Sequence, residues 1–246
     1  MRVAALYDIH GNLPALESVL REIRRADVDR VVVGGDVVVG PMSRETLRCL
    51  SDLDIPVQCI YGNAEVAVLE QMAGRDPAAV PEQYRPMIRW TAEQLYPEYE
   101  RVLASWPKTL RLDIQGLGEV LFCHGTPRDD NEIFTRLTPE ERLLPVFEGL
   151  DVPVVVCGHT HMQFDRAIGR TRVVNAGSVG APFGEPGCDW LLLGPTVEFQ
   201  HTSYDLAKAA ERMRATNYPE DFAARYVLTT PSAAEMLEIF TAASLR

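Results

Sequence analysis

The sequence predicts an α/β fold that opens on a parallel βαβαβ unit. Short β-branched runs alternate with segments of helical period through the first quarter of the chain. Each run stops at small or polar residues: Asp8-Ile9-His10, then Gly34-Gly35-Asp36, then Gly62-Asn63. In an open α/β sheet, chemistry collects at the carboxyl ends of the strands, so these stops are where function is sought.

The 246 residues are 46% hydrophobic and 24% charged, enough for one sizeable core, and 1–246 is read as a single domain. A net charge of −11 argues against tracking nucleic-acid phosphates or an anionic membrane. Bound cations would still create a local positive site. Cys49, Cys59, Cys123, Cys157 and Cys188 show no C-x-x-C spacing. Cys59, Cys123 and Cys157 lie in apolar runs and are read as reduced core residues, which makes the cytoplasm the expected compartment. The apolar part of the N-terminus is too short for a signal peptide. No apolar run approaches the ~20 residues of a membrane span.

The elements follow in order. Arg2 to Tyr7 is the first strand. Side chains of extended chain alternate, so Asp8 and His10 point the same way and can chelate one ion. Asn12 is the expected cap of a helix running to about Arg25, with Pro14 in its first turn and Leu13, Leu16, Val19, Leu20 and Ile23 on one face. Val28 to Val33 is the second strand. Ser43 is the expected cap of a helix over 44–52, and Ile55 to Tyr61 is the third strand.

Residues 66–107 break this rhythm and read as a helical insertion, either packing the core or forming a cap over the strand ends. Leu110 to Ile114 and Glu119 to Phe122 form a hairpin, and the second strand delivers Cys123-His124-Gly125. Thr138-Pro139-Glu140-Glu141 starts a helix with capping-box character. Val152 to Cys157 delivers Gly158-His159-Thr160-His161, and Arg172 to Val174 delivers Asn175-Ala176-Gly177-Ser178-Val179-Gly180. A last hairpin spans 190–200. The 204–246 segment is mostly helical, and its stripe of Met236, Ile239, Phe240 and Ala243 is the candidate homodimer contact.

Five strand ends thus deliver a metal-ligand residue type, in the order D-x-H, G-D, G-N, H-G and G-H-x-H, using four of the five histidines. Mixed imidazole, carboxylate and amide donors suit Mn, Fe, Ni, Co or Zn better than Ca or Mg. Two divalent ions would bring four positive charges against the two negative charges of Asp8 and Asp36. The surplus of about +2 would bind a bridging hydroxide and a phosphate, and paired ions of this kind clamp an in-line displacement.

With all five blocks in order from Arg2 to about Gln200, the sequence resembles the calcineurin-like metallophosphoesterases, and looks closest to their small prokaryotic phosphodiesterase-like branch. The resemblance implies two stacked mixed β-sheets flanked by helices, a four-layer αββα sandwich. It implies a first metal on Asp8, His10, Asp36 and His161, and a second on Asp36, Asn63, His124 and His159, with Asp36 bridging. The reaction implied is phosphohydrolysis, with phosphodiesters favoured and Asp36, Asn63 and His124 central to it. Two divalent transition metals are the expected cofactors, manganese first, and a small phosphorylated molecule is the expected substrate.

The sequence departs from the family pattern at two places. The G-N block usually continues with a histidine that protonates the leaving group or contacts phosphate, and here Ala64 follows. Glu65, the acid that normally supports that histidine, is expected to be an orphan. The turn at 175–180 usually runs on into a Q-P-R-like stretch, and here Ala181-Pro182-Phe183 follows. Arg128 is the candidate substrate contact. His201, the remaining histidine, reads as a surface residue of the last hairpin. The alternative function is a metal-binding or catalytically weak scaffold for protein–protein interaction, as in the retromer subunit that resembles this family.

Overall fold

Residues 1–78 and 80–245 are described by the computed structural model of the chain. The first strand, β1 (Val3–Leu6), pairs in parallel with β2 (Arg30–Val33), which pairs in parallel with β3 (Val57–Cys59). On the other side β1 pairs antiparallel with Cys188–Leu193, which pairs antiparallel with Val197–Thr202. The second sheet is ordered Thr109–Ile114, Gly118–Cys123, Val154–Cys157, Thr171–Asn175, Phe164–Ile168. These seven later strands are β4 to β10 in chain order, so the two mixed sheets run β10-β9-β1-β2-β3 and β4-β5-β6-β8-β7.

Side-chain alternation explains why the sheets stack. Val3, Ala5 and Tyr7 face one way from β1 and join Val120, Phe122, Val154 and Val174 of the second sheet in one core. Ala4 and Leu6 face the other way, under Leu16, Val19, Leu20 and Ile23 of α1 (Leu13–Arg25) and Leu47 of α2 (Ser43–Ser51). Beyond the second sheet, Leu121, Cys123, Val155 and Val173 pack on Phe134, Leu143, Val146 and Phe147. The result is helix, sheet, sheet, helix, the layering the sequence resemblance implies.

Several local expectations need correction. Ser43 is the first residue of α2 and Met42 holds the cap position, because the Ser43 hydroxyl donates to the Gly40 carbonyl at 2.9 Å instead. The helix after Thr138 starts at Glu140, as α6 (Glu140–Phe147), with no side-chain cap, since the Thr138 hydroxyl accepts from the Thr135 N–H at 2.9 Å. β7 has no counterpart among the strands read from sequence. Asn12 does cap α1, accepting from the Ala15 N–H at 3.1 Å.

The 66–107 stretch contains most of α3 (Asn63–Met72), a 3-10 turn (Glu82–Tyr84), α4 (Arg85–Gln94) and α5 (Pro97–Ala104). The C-terminal segment holds α7 (Leu206–Arg214), a π-helix (Ala223–Leu228) and α8 (Ala233–Ala243). The stripe on α8 divides. Met236 and Phe240 turn into a cavity of their own chain, while Ile239 is 57% exposed. Cys123, Cys157 and Cys188 are buried and Cys49 and Cys59 half-buried, all as free thiols.

Candidate metal centre

The parallel ladder of β1 and β2 does not stop where the strands end. Asp8 N–H donates to Gly35 O at 3.1 Å and His10 N–H to Asp36 O at 2.9 Å. This zipping brings Asp8 and Asp36 side by side. The second sheet arrives from across the sandwich, its ends joined by a bond from Gly158 N–H to His124 O at 2.9 Å. The turn after β8 then clasps both sheets: Ala176 N–H donates to Cys157 O, while Val179 and Gly180 N–H donate to Tyr7 and Asp8 O.

Two groups of side chains result. Asp8, His10 and His161 converge in one, and Asp36, His124 and His159 in the other. In the first, His161 Nε2 lies 3.3 Å from Asp8 Oδ1 and 3.2 Å from His10 Nε2. In the second, His124 Nε2 lies 3.4 Å from Asp36 Oδ1 and 3.1 Å from Asn63 Oδ1. The other oxygen of Asp36, Oδ2, lies 3.9 Å from His10 Nε2 in the first group. All seven sequence-selected positions are therefore together at one end of the sandwich.

The donor chemistry fits a divalent cation in each group. His161 Nδ1–H donates to Ala181 O at 2.8 Å and His124 Nδ1–H to Gly34 O at 2.9 Å. Each ring thus turns its Nε2 inward, the nitrogen that a metal-ligating histidine must present. Asp8 Oδ1 and His159 Nε2 are buried with no hydrogen-bond partner, which is costly unless a cation completes them. Asp8 Oδ2 is taken by the His159 N–H at 2.9 Å.

Electrostatics agree. Burial opposes charge on His124, but Asp36 and Asp8 outweigh it and push its pKa up to about 10. Burial and the charge of His124 push His159 down to about 4. Burial, then His161, lowers His10, while Asp8 overcomes burial to raise His161. Burial works against ionised Asp36 and Asp8, yet the surrounding imidazoles hold both below the ordinary carboxylate range. His124 and His161 are thus the rings that favour a proton beside the two carboxylates, and His10 and His159 disfavour one.

The backbone is strained where it carries these groups. Asp8, His10, Asp36, His159 and His161 all have φ between 47° and 66°, a left-handed region that side-chain-bearing residues seldom adopt and that marks functional sites. Asp and His tolerate this region better than most residues, but nothing local marks these five positions for it. Glycine does announce the close approaches: a Cβ on Gly62 would sit 2.2 Å from Asp36 Oδ1 and 2.8 Å from His124 Nδ1.

Glu65 is not an orphan. Fully buried, it accepts from the backbone N–H groups of Asp36, Val37, Val38 and Gly62 at 2.7–3.1 Å. Burial and the neighbouring Asp36 push its carboxyl up to about 7 against the pull of those donors. The acid thus clamps the Asp36 loop to the start of α3. Ala64 N–H in turn donates to Asp36 Oδ1 at 2.8 Å.

A cavity of about 570 Å³ opens over the centre. His10, Asp36, Asn63, His159 and His161 lie in its wall together with Ala64. Tyr84, Met87 and Ile88 of the insertion and several aromatic residues of the C-terminal segment complete it. Arg128 is not in this wall; its guanidinium pairs with Glu132, Nε reaching both carboxylate oxygens at 2.9 and 3.0 Å. His201 pairs with Asp189 at 2.8 Å on the last hairpin. Phe183 is marked by the sequence only as a departure from the Q-P-R-like stretch. It stacks on His161, ring centroids 5.1 Å apart at 21°.

Two stacked mixed sheets with candidate metal-ligand groups at their joined strand ends define the class of fold and site. Residues 1–193 match the family model described as the calcineurin-like phosphoesterase superfamily domain, and the chain belongs to this family. The family is metal-dependent, and membership supports phosphoesterase activity. The chain is 26% identical over 239 residues to an uncharacterized protein of Methanocaldococcus jannaschii, covering 89% of this chain and 94% of that one. It is similar to the crystal structure of a metallophosphoesterase from Sphaerobacter thermophilus, with 27% identity and a TM-score of 0.69 over 92% of this chain and 97% of that one. A hypothetical protein from Pyrococcus horikoshii shares the fold, with 20% identity and a TM-score of 0.79 over 93% of this chain and 99% of that one. Among the described residues, no helix is long and apolar enough to cross a membrane.

Proposed function

We propose that the chain is a dinuclear metal-dependent phosphohydrolase that prefers phosphodiesters to monoesters. Asp8, His10, Asp36 and His161 would hold one ion, and Asp36, Asn63, His124 and His159 the other. One observation carries this reading: the two oxygens of Asp36 face different groups, Oδ1 toward His124 at 3.4 Å and Oδ2 toward His10 at 3.9 Å. A carboxylate so divided suits a bridge between two cations. When bound, the ions supply Lewis acidity that activates water and polarises the phosphoryl oxygens. Manganese is the first choice, and Fe, Ni, Co or Zn also suit the mixed donor set.

The chain's own residues set the rest. His124 and His161, each fixed by a carbonyl behind its ring, hold the inward nitrogens still. Glu65 fixes the backbone from which Asp36 projects. Ala64 offers no proton to a leaving group, so the enzyme favours esters whose leaving group departs without one. The substrate is a small phosphorylated molecule and the compartment is the cytoplasm, in keeping with five free thiols.

The test is hydrolysis of bis-p-nitrophenyl phosphate against p-nitrophenyl phosphate by metal-stripped protein with Mn²⁺ restored. Metal-dependent turnover, faster on the diester, is expected. No turnover of either ester by protein carrying two ions per chain would overturn the reading.

A further inference from the structure

The cavity over the metal centre is walled for something other than phosphate. Six aromatic side chains line it: Tyr84, Phe183, Tyr218, Phe222, Tyr226 and Phe240. Two of them connect to the centre. Phe183 stacks on His161, and Phe240 stacks on Phe183 with centroids 5.9 Å apart at 28°. A row of parallel rings therefore begins at a candidate metal ligand and leads into the cavity. Farther along the chain, Phe222 lies 4.9 Å from Tyr226 and 6.3 Å from Tyr218, ring to ring.

Charge in the wall points the same way. Outside the ligand groups, Glu70, Asp130 and Glu220 are its carboxylates and Arg225 its guanidinium. Arg225 is already paired with Glu220 at 2.6 Å. No free cation among these lining residues waits for a second phosphate, and the carboxylates would repel one. Positions 64 and 183 present a methyl and a phenyl to the same space.

We propose that this cavity binds the ester group of the substrate, and that this group is flat, uncharged and aromatic, of aryl or nucleobase size, rather than a polyphosphate or a sugar phosphate. The inference rests on the phosphohydrolase reading and sets its substrate class. Apolar contact with the half-buried Phe183 and Phe240 would hold the ring near the metals, and its burial would supply the affinity that Ala64 and Phe183 do not draw from phosphate contacts. Much of the wall comes from residues 218–240, beyond the 1–193 span that matches the family. Selection of the ester group is thus assigned largely to the C-terminal segment. The π-helix that carries Arg225 and Tyr226 is a form often found at functional sites.

Phosphonates test this without requiring turnover. Phenylphosphonate and methylphosphonate present the same oxygens to Mn²⁺-loaded protein and differ only in the group sent into the cavity. Calorimetry is expected to give at least about tenfold tighter binding of phenylphosphonate, the scale set by burying one ring. That preference should fall below about threefold in Phe240→Ala, whose metal content is checked in parallel, and survive in Ile239→Ala on the outward face of the same helix. Equal affinity of the two phosphonates for the unaltered protein, or binding of neither, would overturn the inference whatever the variants do. Turnover of bis-p-nitrophenyl phosphate judges the hydrolase reading separately, so the two failures are distinguishable.

Discussion

Glu65 receives the backbone N–H of Asp36 at 2.8 Å, so a buried acid on α3 holds the loop from which the most shared carboxylate of the site projects. Its two oxygens divide the work: Oε2 takes Asp36 and Gly62, and Oε1 takes Val37 and Val38. Glu65→Gln turns an NH₂ toward two of these donors. Leaving buried donors unsatisfied costs roughly 1–3 kcal/mol each, and a loss of about 2–4 kcal/mol in the urea unfolding free energy of the metal-free protein is expected. A change below about 0.5 kcal/mol would mean that the clamp does not hold the loop.

Asp36→Asn should reduce bound metal from two ions per chain to one or none, because a neutral amide bridges two cations poorly. Elemental analysis after dialysis against Mn²⁺ reads this directly. Two ions retained with unchanged affinity would remove Asp36 from the bridging role.

Metal binding should release protons near neutral pH. His124, pushed up to about 10, is charged at pH 7, yet only its unprotonated Nε2 can bind a cation. Loading therefore displaces a proton, and apparent affinity climbs with pH until about 10 and then levels. His159, near 4, is already neutral and adds nothing above about pH 5. Calorimetry in buffers of different ionisation enthalpy should show at least one proton released per chain at pH 7.5, from His124 and in part from His161, whose pKa Asp8 raises. None released at that pH would place the His124 proton elsewhere.

Ala64→His should raise turnover on diesters with poor leaving groups by about tenfold or more, and on p-nitrophenyl esters far less, because general-acid help counts where the leaving oxygen is basic. Ala64 is in the cavity wall next to Asn63, so the new ring has room to face the reacting ester. Equal gains on both ester types, or none, would show that position 64 does not face the leaving group.

The strand ends and their residue types were legible in the sequence because β-branched runs, glycine stops and polar donors are local signals. The five blocks in order pointed to a centre whose side chains the structure brings within bonding range of one another. Less local matters were not legible. Left-handed φ at Asp8, His10, Asp36, His159 and His161 accompanies loops zipped to one another across the sheet; Asp and His tolerate it, but no local pattern specifies it. Glu65 was misread because its donors lie 27 to 29 residues away in three of four cases. β7 (Phe164–Ile168) has only two buried residues, at its ends, and so lacks an apolar run to reveal it. Phe183 and Phe240 become neighbours only when the C-terminal helix returns over the site.

That return has an evolutionary corollary. Every candidate ligand position precedes residue 162, whereas Tyr218, Phe222, Tyr226 and Phe240 belong to a segment that holds none of them. The two parts meet where Phe240 stacks on Phe183 and Phe183 on His161. Descendants could exchange the rings of the last helices, and with them the molecules they accept, while inheriting the ion-binding apparatus intact.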